Sequence, residues 1–247
     1  MIRFLSLGIV TLILVVTFWP VSQTDKRILF IGNSFTFGGN VPLQVQNIAL
    51  TAAPSVRYEV VSVVRGGTTL QEHIMETAAL ETIRLGGWDV VVLQDASVMS
   101  FTTDRRRMMR DAATILAREA QEQGAKVLYF AHWSPGGWEQ EQDLWRGNLT
   151  IDETYRSIVQ QTGGHVAHAG LVWFQAHEAG MDGLYSPDGH HSSVKGAWAA
   201  ALAIVAALGD TDPGTSTWSP LQNSQKIPDH KQELLRRIAS DLIDRVQ

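Results

Sequence analysis

Polar residues with the chemistry of acyl transfer follow the apolar runs of this 247-residue sequence. Ser34 stands just after the apolar run of residues 28–31, and the late stretch "PDGHH" places Asp188 three residues before His191. A serine hydroxyl is a weak nucleophile that needs an imidazole as base, and the imidazole needs a group that orients it. The spacing therefore predicts Ser34 as nucleophile, His191 as base and Asp188 as the orienting carboxylate.

Acyl transfer also needs hydrogen-bond donors for the oxyanion of its tetrahedral intermediate. The candidate donors are the backbone N–H of Ser34, the backbone N–H of Gly67 in "RGGTTL" and the side-chain amide of Gln94 in "VVLQDAS". Glycine at position 67 leaves the approach of a substrate unobstructed. His132 and Trp133, at the end of another apolar run, are candidate substrate-binding residues, and the alternative is that they pack as an ordinary strand end.

Recurring apolar runs must form the elements that position these side chains. Four runs and a short fifth predict strands at 27–32, 57–64, 89–94, 126–133 and within 165–173. Continuous Val, Ile and Leu are typical of strands buried on both faces of a parallel sheet. Helical patterns separate the runs, which predicts one three-layer α/β domain. Ligands of such sheets bind at the carboxyl ends of the strands, where these candidates stand.

Composition limits the possible function classes. The chain is 45% hydrophobic and 18% charged, which is typical of a globular protein. A net charge of −5 argues against a general nucleic-acid binder. The chain contains no cysteine, so thiolate nucleophiles, disulfides and cysteine-based metal sites are excluded.

The N-terminus has the pattern of an export signal. Arg3 precedes an apolar run over residues 4–19, which predicts a signal peptide or signal-anchor over residues 1–24 and a folded domain over residues 25–247. A spanning helix needs roughly 17–25 apolar residues. No A-x-A-like cleavage site follows the run, which favours an uncleaved anchor. We expect an exported protein that is periplasmic, extracellular or membrane-anchored.

The order of the motifs resembles the SGNH (GDSL-type) hydrolase superfamily over about residues 27–208. Its members carry a Gly-Asp-Ser-like element after the first strand, then a glycine, an asparagine and a late Asp-x-x-His. The counterparts here are Ser34 in "GNS", Gly67 in "GGTT", and Asp188 with His191 in "DGHH". The resemblance implies a flavodoxin-like α/β/α sandwich with a mainly parallel five-stranded sheet. It also implies a metal-independent esterase or lipase-type activity, and no cofactor is predicted.

Two positions depart from the pattern of this superfamily. Asn33 stands where its members carry aspartate, and Gln94 stands near the place of the usual asparagine. A glutamine amide presents the same N–H donor on a side chain one methylene longer. Gln94 is therefore predicted to serve as the third oxyanion donor.

The leading hypothesis is an exported serine esterase that forms an acyl-enzyme on Ser34 and acts on a small-molecule, glycan or lipid ester. One alternative is an inactive SGNH-like module that binds carbohydrate. Another is a divalent-metal hydrolase that uses Asp188, His190 and His191, with Asp95 as a further ligand.

Overall fold

The computed structural model describes residues 24–135 and 141–246; only the backbone is described for residues 24, 141–145 and 243–246. The apolar run of residues 4–19 lies outside the described residues, so export and anchoring stay predictions. No helix in the described ranges is long and apolar enough to cross a membrane.

Five parallel strands form the central sheet. They are β1 (Thr24–Gly32), β2 (Val56–Val64), β3 (Val90–Leu93), β4 (Lys126–Phe130) and β5 (His165–Ala167). Their spatial order is β2-β1-β3-β4-β5, and all four pairings are parallel. This is the flavodoxin-like strand order. The predicted five-stranded parallel sheet is confirmed.

Nine α-helices lie in the described part of the chain. They are α1 (Ser34–Phe37), α2 (Val41–Ala52), α3 (Leu70–Glu76), α4 (Ala79–Arg84), α5 (Thr103–Glu122), α6 (Glu141–Thr162), α7 (Ala169–Glu178), α8 (Val194–Leu208) and α9 (Asp229–Val246). A small antiparallel hairpin, β6 (Leu221–Gln222) with β7 (Gln225–Lys226), precedes α9. The sequence pattern predicts only a polar loop there.

Side chains of the strands alternate between two separate cores. Ile28 and Phe30 of β1 pack in the core formed with α2, α7, α8 and α9. Leu29 and Ile31 pack on the opposite face, in the core formed with α3, α4, α5 and α6. Because both faces of the sheet are covered, its strands are apolar without alternation. The predicted three-layer α/β/α sandwich is confirmed.

Helix α8 packs closely against the loop that precedes it. A Cβ on Gly196, in its first turn, would lie 2.1 Å from the carbonyl oxygen of Leu184 and 2.4 Å from the ring of Trp173. Only glycine permits this approach, because any side chain would collide with backbone and ring atoms. The loop of residues 182–193 is therefore held directly against the helix that follows it.

Candidate active site

A tight turn at the carboxyl end of β1 positions Ser34. Asn33 caps α1, its side-chain oxygen accepting the backbone N–H two residues ahead at 3.1 Å, and Ser34 is the first helical residue. A Cβ on Gly32 would lie 2.4 Å from the hydroxyl of Thr36 and 2.7 Å from the amide oxygen of Gln94. Glycine is therefore required at position 32, since these polar groups fill the space that a side chain would occupy.

The structure brings Ser34, His191 and Asp188 together, as predicted. Asp188 Oδ2 lies 2.7 Å from His191 Nδ1, and His191 Nε2 lies 2.9 Å from Ser34 Oγ. An ionised carboxylate only accepts hydrogen bonds, which assigns the imidazole proton to Nδ1. The Nε2 lone pair then accepts the hydroxyl proton of Ser34. This is the arrangement in which an imidazole activates a serine.

The loop of residues 182–193 holds the carboxylate through its own backbone. Asp188 Oδ1 accepts the N–H groups of His190 at 2.9 Å and His191 at 3.0 Å. The hydrogen bond from the His191 ring, followed by these two backbone bonds, holds the pKa of Asp188 well below its usual range. Asp188 is therefore a carboxylate wherever the protein would be assayed.

Two backbone N–H groups face no acceptor beside this assembly. Within the described residues, the N–H groups of Ser34 and Gly67 have no hydrogen-bond partner. Gly67 is exposed and has a φ of +68°, which favours glycine. Asn33 Nδ2 donates to the carbonyl of Thr68 at 3.0 Å and so joins the Gly67 turn to the nucleophile turn. Both backbone groups can serve as oxyanion donors.

Gln94 is not placed as an oxyanion donor. Its Oε1 accepts the N–H of Asn33 at 3.0 Å and the hydroxyl of Thr36 at 2.8 Å, and its Nε2 donates to the carbonyl of Asp95. The side chain is 0% exposed, so its amide is not presented to a substrate. This placement corrects the prediction. The amide is used inside the protein, where it holds the nucleophile turn.

His132 and Trp133 do not line an open substrate site, which corrects a second prediction. They are 1% and 0% exposed. The indole ring stacks on Trp173 with centroids 4.3 Å apart, and its Nε1 donates to the carbonyl of His190 at 3.1 Å. Trp133 therefore supports the loop of residues 182–193 from beneath. His132 packs in the interior against Phe35 and Tyr155.

The residues of the metal-dependent alternative do not converge. Asp188 is occupied by His191 and by its own loop, and His190 packs edge-on against Phe35 at 5.1 Å. Asp95 instead accepts the N–H of Leu70 at 3.0 Å. Among the described side chains, no group of three or more His, Asp or Glu is arranged to hold a metal ion.

Two buried residues at the site, Asn33 and His73, were not predicted to be functional, and a third, Asp95, was a candidate only as a metal ligand. Asn33 joins two turns, and an asparagine before a helix is a known capping signal. His73 of α3 is fully buried and its Nε2 donates to the carbonyl of Gly32 at 2.7 Å; no sequence pattern indicates this. Asp95 is a buried carboxylate that accepts the first N–H of α3, from Leu70.

Comparisons with solved structures identify the fold that carries this geometry. No protein-family model matches the chain, and no curated protein matches it. Among solved structures, a putative SGNH hydrolase from Slackia heliotrinireducens is 26% identical with a TM-score of 0.60, covering 75% of this chain and 100% of its own.

Two further solved structures resemble the chain at lower identity. A DUF4886 family protein from Bacteroides uniformis is 15% identical with a TM-score of 0.74, over 89% of this chain and 95% of its own. The acetylxylan esterase Axe2 from Geobacillus stearothermophilus is 14% identical with a TM-score of 0.55, over 76% of this chain and 94% of its own. These likenesses agree with the strand order and with the resemblance noted in the motifs. The chain therefore has the SGNH/GDSL-type hydrolase fold.

Proposed function

We propose that this chain is a serine esterase that hydrolyses carboxylic esters through an acyl-enzyme. One observation carries the proposal: Ser34 and His191, 157 residues apart in sequence, are hydrogen-bonded at 2.9 Å, and Asp188 orients the imidazole from the other side. The two unpartnered N–H groups of Ser34 and Gly67 supply the electrostatic part of the mechanism.

Acylation begins when Ser34 Oγ attacks the ester carbonyl carbon and its proton passes to His191 Nε2. The carbonyl π electrons move to oxygen, and the N–H groups of Ser34 and Gly67 bind the resulting oxyanion. When the intermediate collapses, the bond to the alcohol oxygen breaks and that oxygen takes the proton from Nε2. Asp188 stabilises the imidazolium while it exists.

Deacylation repeats these steps with water in place of the serine. Water gives a proton to His191 Nε2 as its oxygen attacks the acyl carbon, and the new oxyanion binds to the same two N–H groups. Collapse breaks the bond to Ser34 Oγ, which regains the proton from Nε2, and the carboxylic acid leaves. Each cycle consumes one water and restores the free enzyme.

The packing beneath the nucleophile favours a short acyl group. The buried ring of Phe35 lies 5.0 Å from the ring of His132 and 4.5 Å from that of Trp133, which fills the interior under Ser34. Ser34 does not line either of two cavities, of about 290 and 390 Å³, that the described residues form elsewhere. Because these rings fill the interior under Ser34, a long acyl chain finds no room beneath the nucleophile.

A fluorophosphonate probe tests the proposal directly. The wild type should be labelled, Ser34→Ala should not, and Ser157→Ala should be labelled like the wild type because Ser157 lies on α6 and bonds only to the carbonyl of Thr154. Hydrolysis of p-nitrophenyl esters should be fastest for acetate and fall as the chain lengthens to laurate. A wild type that is neither labelled nor active on any of these esters would refute the esterase, and loss of hydrolysis in EDTA would favour the metal-dependent alternative.

A further inference from the structure

We propose that Gln94 and Asp95 form a bracket at the carboxyl end of β3 that positions the two oxyanion donors. Gln94 holds the nucleophile turn, residues 32–36, and Asp95 holds the second turn, residues 65–70. Both are positioning residues that act through backbone and touch no substrate. The inference rests on the proposed function, because it assigns a purpose to the N–H groups that these turns present.

The Gln94 half of the bracket is defined by groups with fixed roles. The N–H of Asn33 can only donate and the carbonyl of Asp95 can only accept, so the contacts of the Gln94 side chain determine which amide atom is oxygen. The amide oxygen also accepts the hydroxyl of Thr36. The residues on both sides of Ser34 are therefore held by one buried acceptor.

The Asp95 half holds the beginning of α3. Asp95 Oδ1 accepts the N–H of Leu70 at 3.0 Å and that of Ala96 at 2.7 Å. Its own N–H donates to the hydroxyl of Tyr155 at 2.9 Å, which fixes the end of β3 against α6. Leu70 is the first residue of α3 and stands three residues after Gly67. The carboxylate therefore limits where the Gly67 turn can lie.

One direct bond between the turns and one from α3 to the nucleophile turn complete the frame. Asn33 Nδ2 donates to the carbonyl of Thr68, and His73 of α3 donates to the carbonyl of Gly32. Displacement of a reacting group by about 1 Å can cost roughly 10²-fold in rate. A bracket that fixes both turns from one strand end keeps the Ser34 and Gly67 donors at a constant separation.

Kinetics of Thr36→Val separate this role from direct participation of the Gln94 amide. Thr36 is buried, and valine keeps its shape while removing the hydroxyl that Gln94 accepts. We expect kcat on p-nitrophenyl acetate to fall roughly 3- to 10-fold with KM unchanged, and Thr36→Ser to restore it. Thr114→Val is the matched control, because its hydroxyl bonds only within α5.

Hydrogen exchange measured by mass spectrometry tests the bracket without any substrate. Gln94→Ala and Thr36→Val should speed exchange in peptides that cover residues 31–37 and leave residues 68–74 protected. Asp95→Ala should speed exchange in residues 68–74 and leave residues 31–37 protected. Asp95→Asn keeps an oxygen for Leu70 and should restore both protection and kcat, because no described residue bonds to the second carboxylate oxygen.

The outcomes distinguish this inference from the proposed function. If the wild type hydrolyses no ester, the esterase is wrong, and the exchange pattern still decides whether the bracket exists. The bracket is supported if Gln94→Ala and Thr36→Val speed exchange only in residues 31–37 and Asp95→Ala speeds it only in residues 68–74. Uniform or unchanged exchange in all variants overturns it. A Gln94→Ala variant that loses activity beside a fully active Thr36→Val and unchanged exchange also overturns it, because Gln94 would then act directly on the oxyanion.

Discussion

The two ends of the central sheet are held by different kinds of polar contact. At the carboxyl end, the buried side chains of Asn33, Gln94 and Asp95 bond to backbone groups of neighbouring turns. At the amino end, several contacts are ion pairs between exposed charges, such as Arg57 with Asp25 at 2.8 Å, whose side chains are 61% and 62% exposed. One pair there, Lys26 with Asp210, is partly buried, and Asp210 also accepts the hydroxyl of Tyr58.

The two kinds of contact contribute differently to the structure. A buried hydrogen-bonding group that loses its partner costs about 1–3 kcal/mol, because no water replaces the partner. Exposed ion pairs contribute little, since water and salt screen them and long side chains lose entropy. The carboxyl end is therefore built to keep backbone groups in place. Exposed charges at the amino end, such as Arg57, can be exchanged with little consequence.

The largest effect that would test this contrast is expected from Asp188→Asn. Asparagine keeps an oxygen for the two backbone N–H groups of the loop, but its amide donates to His191 Nδ1 and moves the imidazole proton to Nε2. Ser34 then has no base. We expect kcat to fall about 10³- to 10⁴-fold with the melting temperature unchanged. A variant with near-normal kcat would show that Asp188 does not orient the base.

A smaller loss is expected from Asn33→Asp, although aspartate is the residue that the superfamily carries at this position. Aspartate still accepts the N–H of Phe35, but it cannot donate to the carbonyl of Thr68. We expect kcat to fall about 10- to 30-fold. Asn47→Asp on α2 is the matched control and should keep full activity. Equal kcat for Asn33→Asp and the wild type would show that the bond from Asn33 to the carbonyl of Thr68 does not contribute to catalysis.

The buried carboxyl of Asp95 should make stability depend on pH. Burial raises its pKa to about 6; the N–H groups of Leu70 and Ala96 oppose the rise and Glu72 adds to it. Because the folded-state pKa exceeds the unfolded value, the stabilisation is present at low pH and lost as pH rises through 6. Asp95→Asn should gain about 1 kcal/mol over the wild type between pH 5 and pH 8 in urea unfolding. A difference that is constant with pH would contradict this.

The smallest effect is expected at the amino end of the sheet. Arg57→Ala removes a pair that is mostly exposed to solvent, so the melting temperature should change by no more than about 1 °C and kcat should not change. Differential scanning calorimetry and the acetate assay measure both. A loss of kcat comparable to that of Asn33→Asp would contradict the difference proposed between the two ends of the sheet.

The sequence predicts most of the fold and the grouping of Ser34, His191 and Asp188 at one site. The strands follow from continuous apolar runs, and Asp188 with His191 forms a local motif whose spacing alone brings a carboxylate to an imidazole. Residues that stand at strand ends also end up at one edge of a parallel sheet. These features depend on short-range pattern and on topology.

The sequence does not predict the direction in which the Gln94 amide points, the burial of Trp133 or the contact of His73. The direction of the Gln94 amide depends on the N–H of Asn33 and on Thr36, which come from a distant segment. The burial of Trp133 depends on the loop that closes over it. His73 reaches Gly32 only because α3 folds back across the end of β1. Partners far apart in sequence determine all three placements, so local pattern cannot predict them.

The length of β1 has a practical consequence for handling the protein. Its nine residues run from Thr24 to Gly32 and span roughly 30 Å at about 3.3 Å per residue. The nucleophile follows one end, and the N-terminal segment joins the other. The beginning of β1 and the nucleophile therefore lie at opposite ends of the sheet, so a contact made at the backbone of Thr24 leaves Ser34 accessible to an ester.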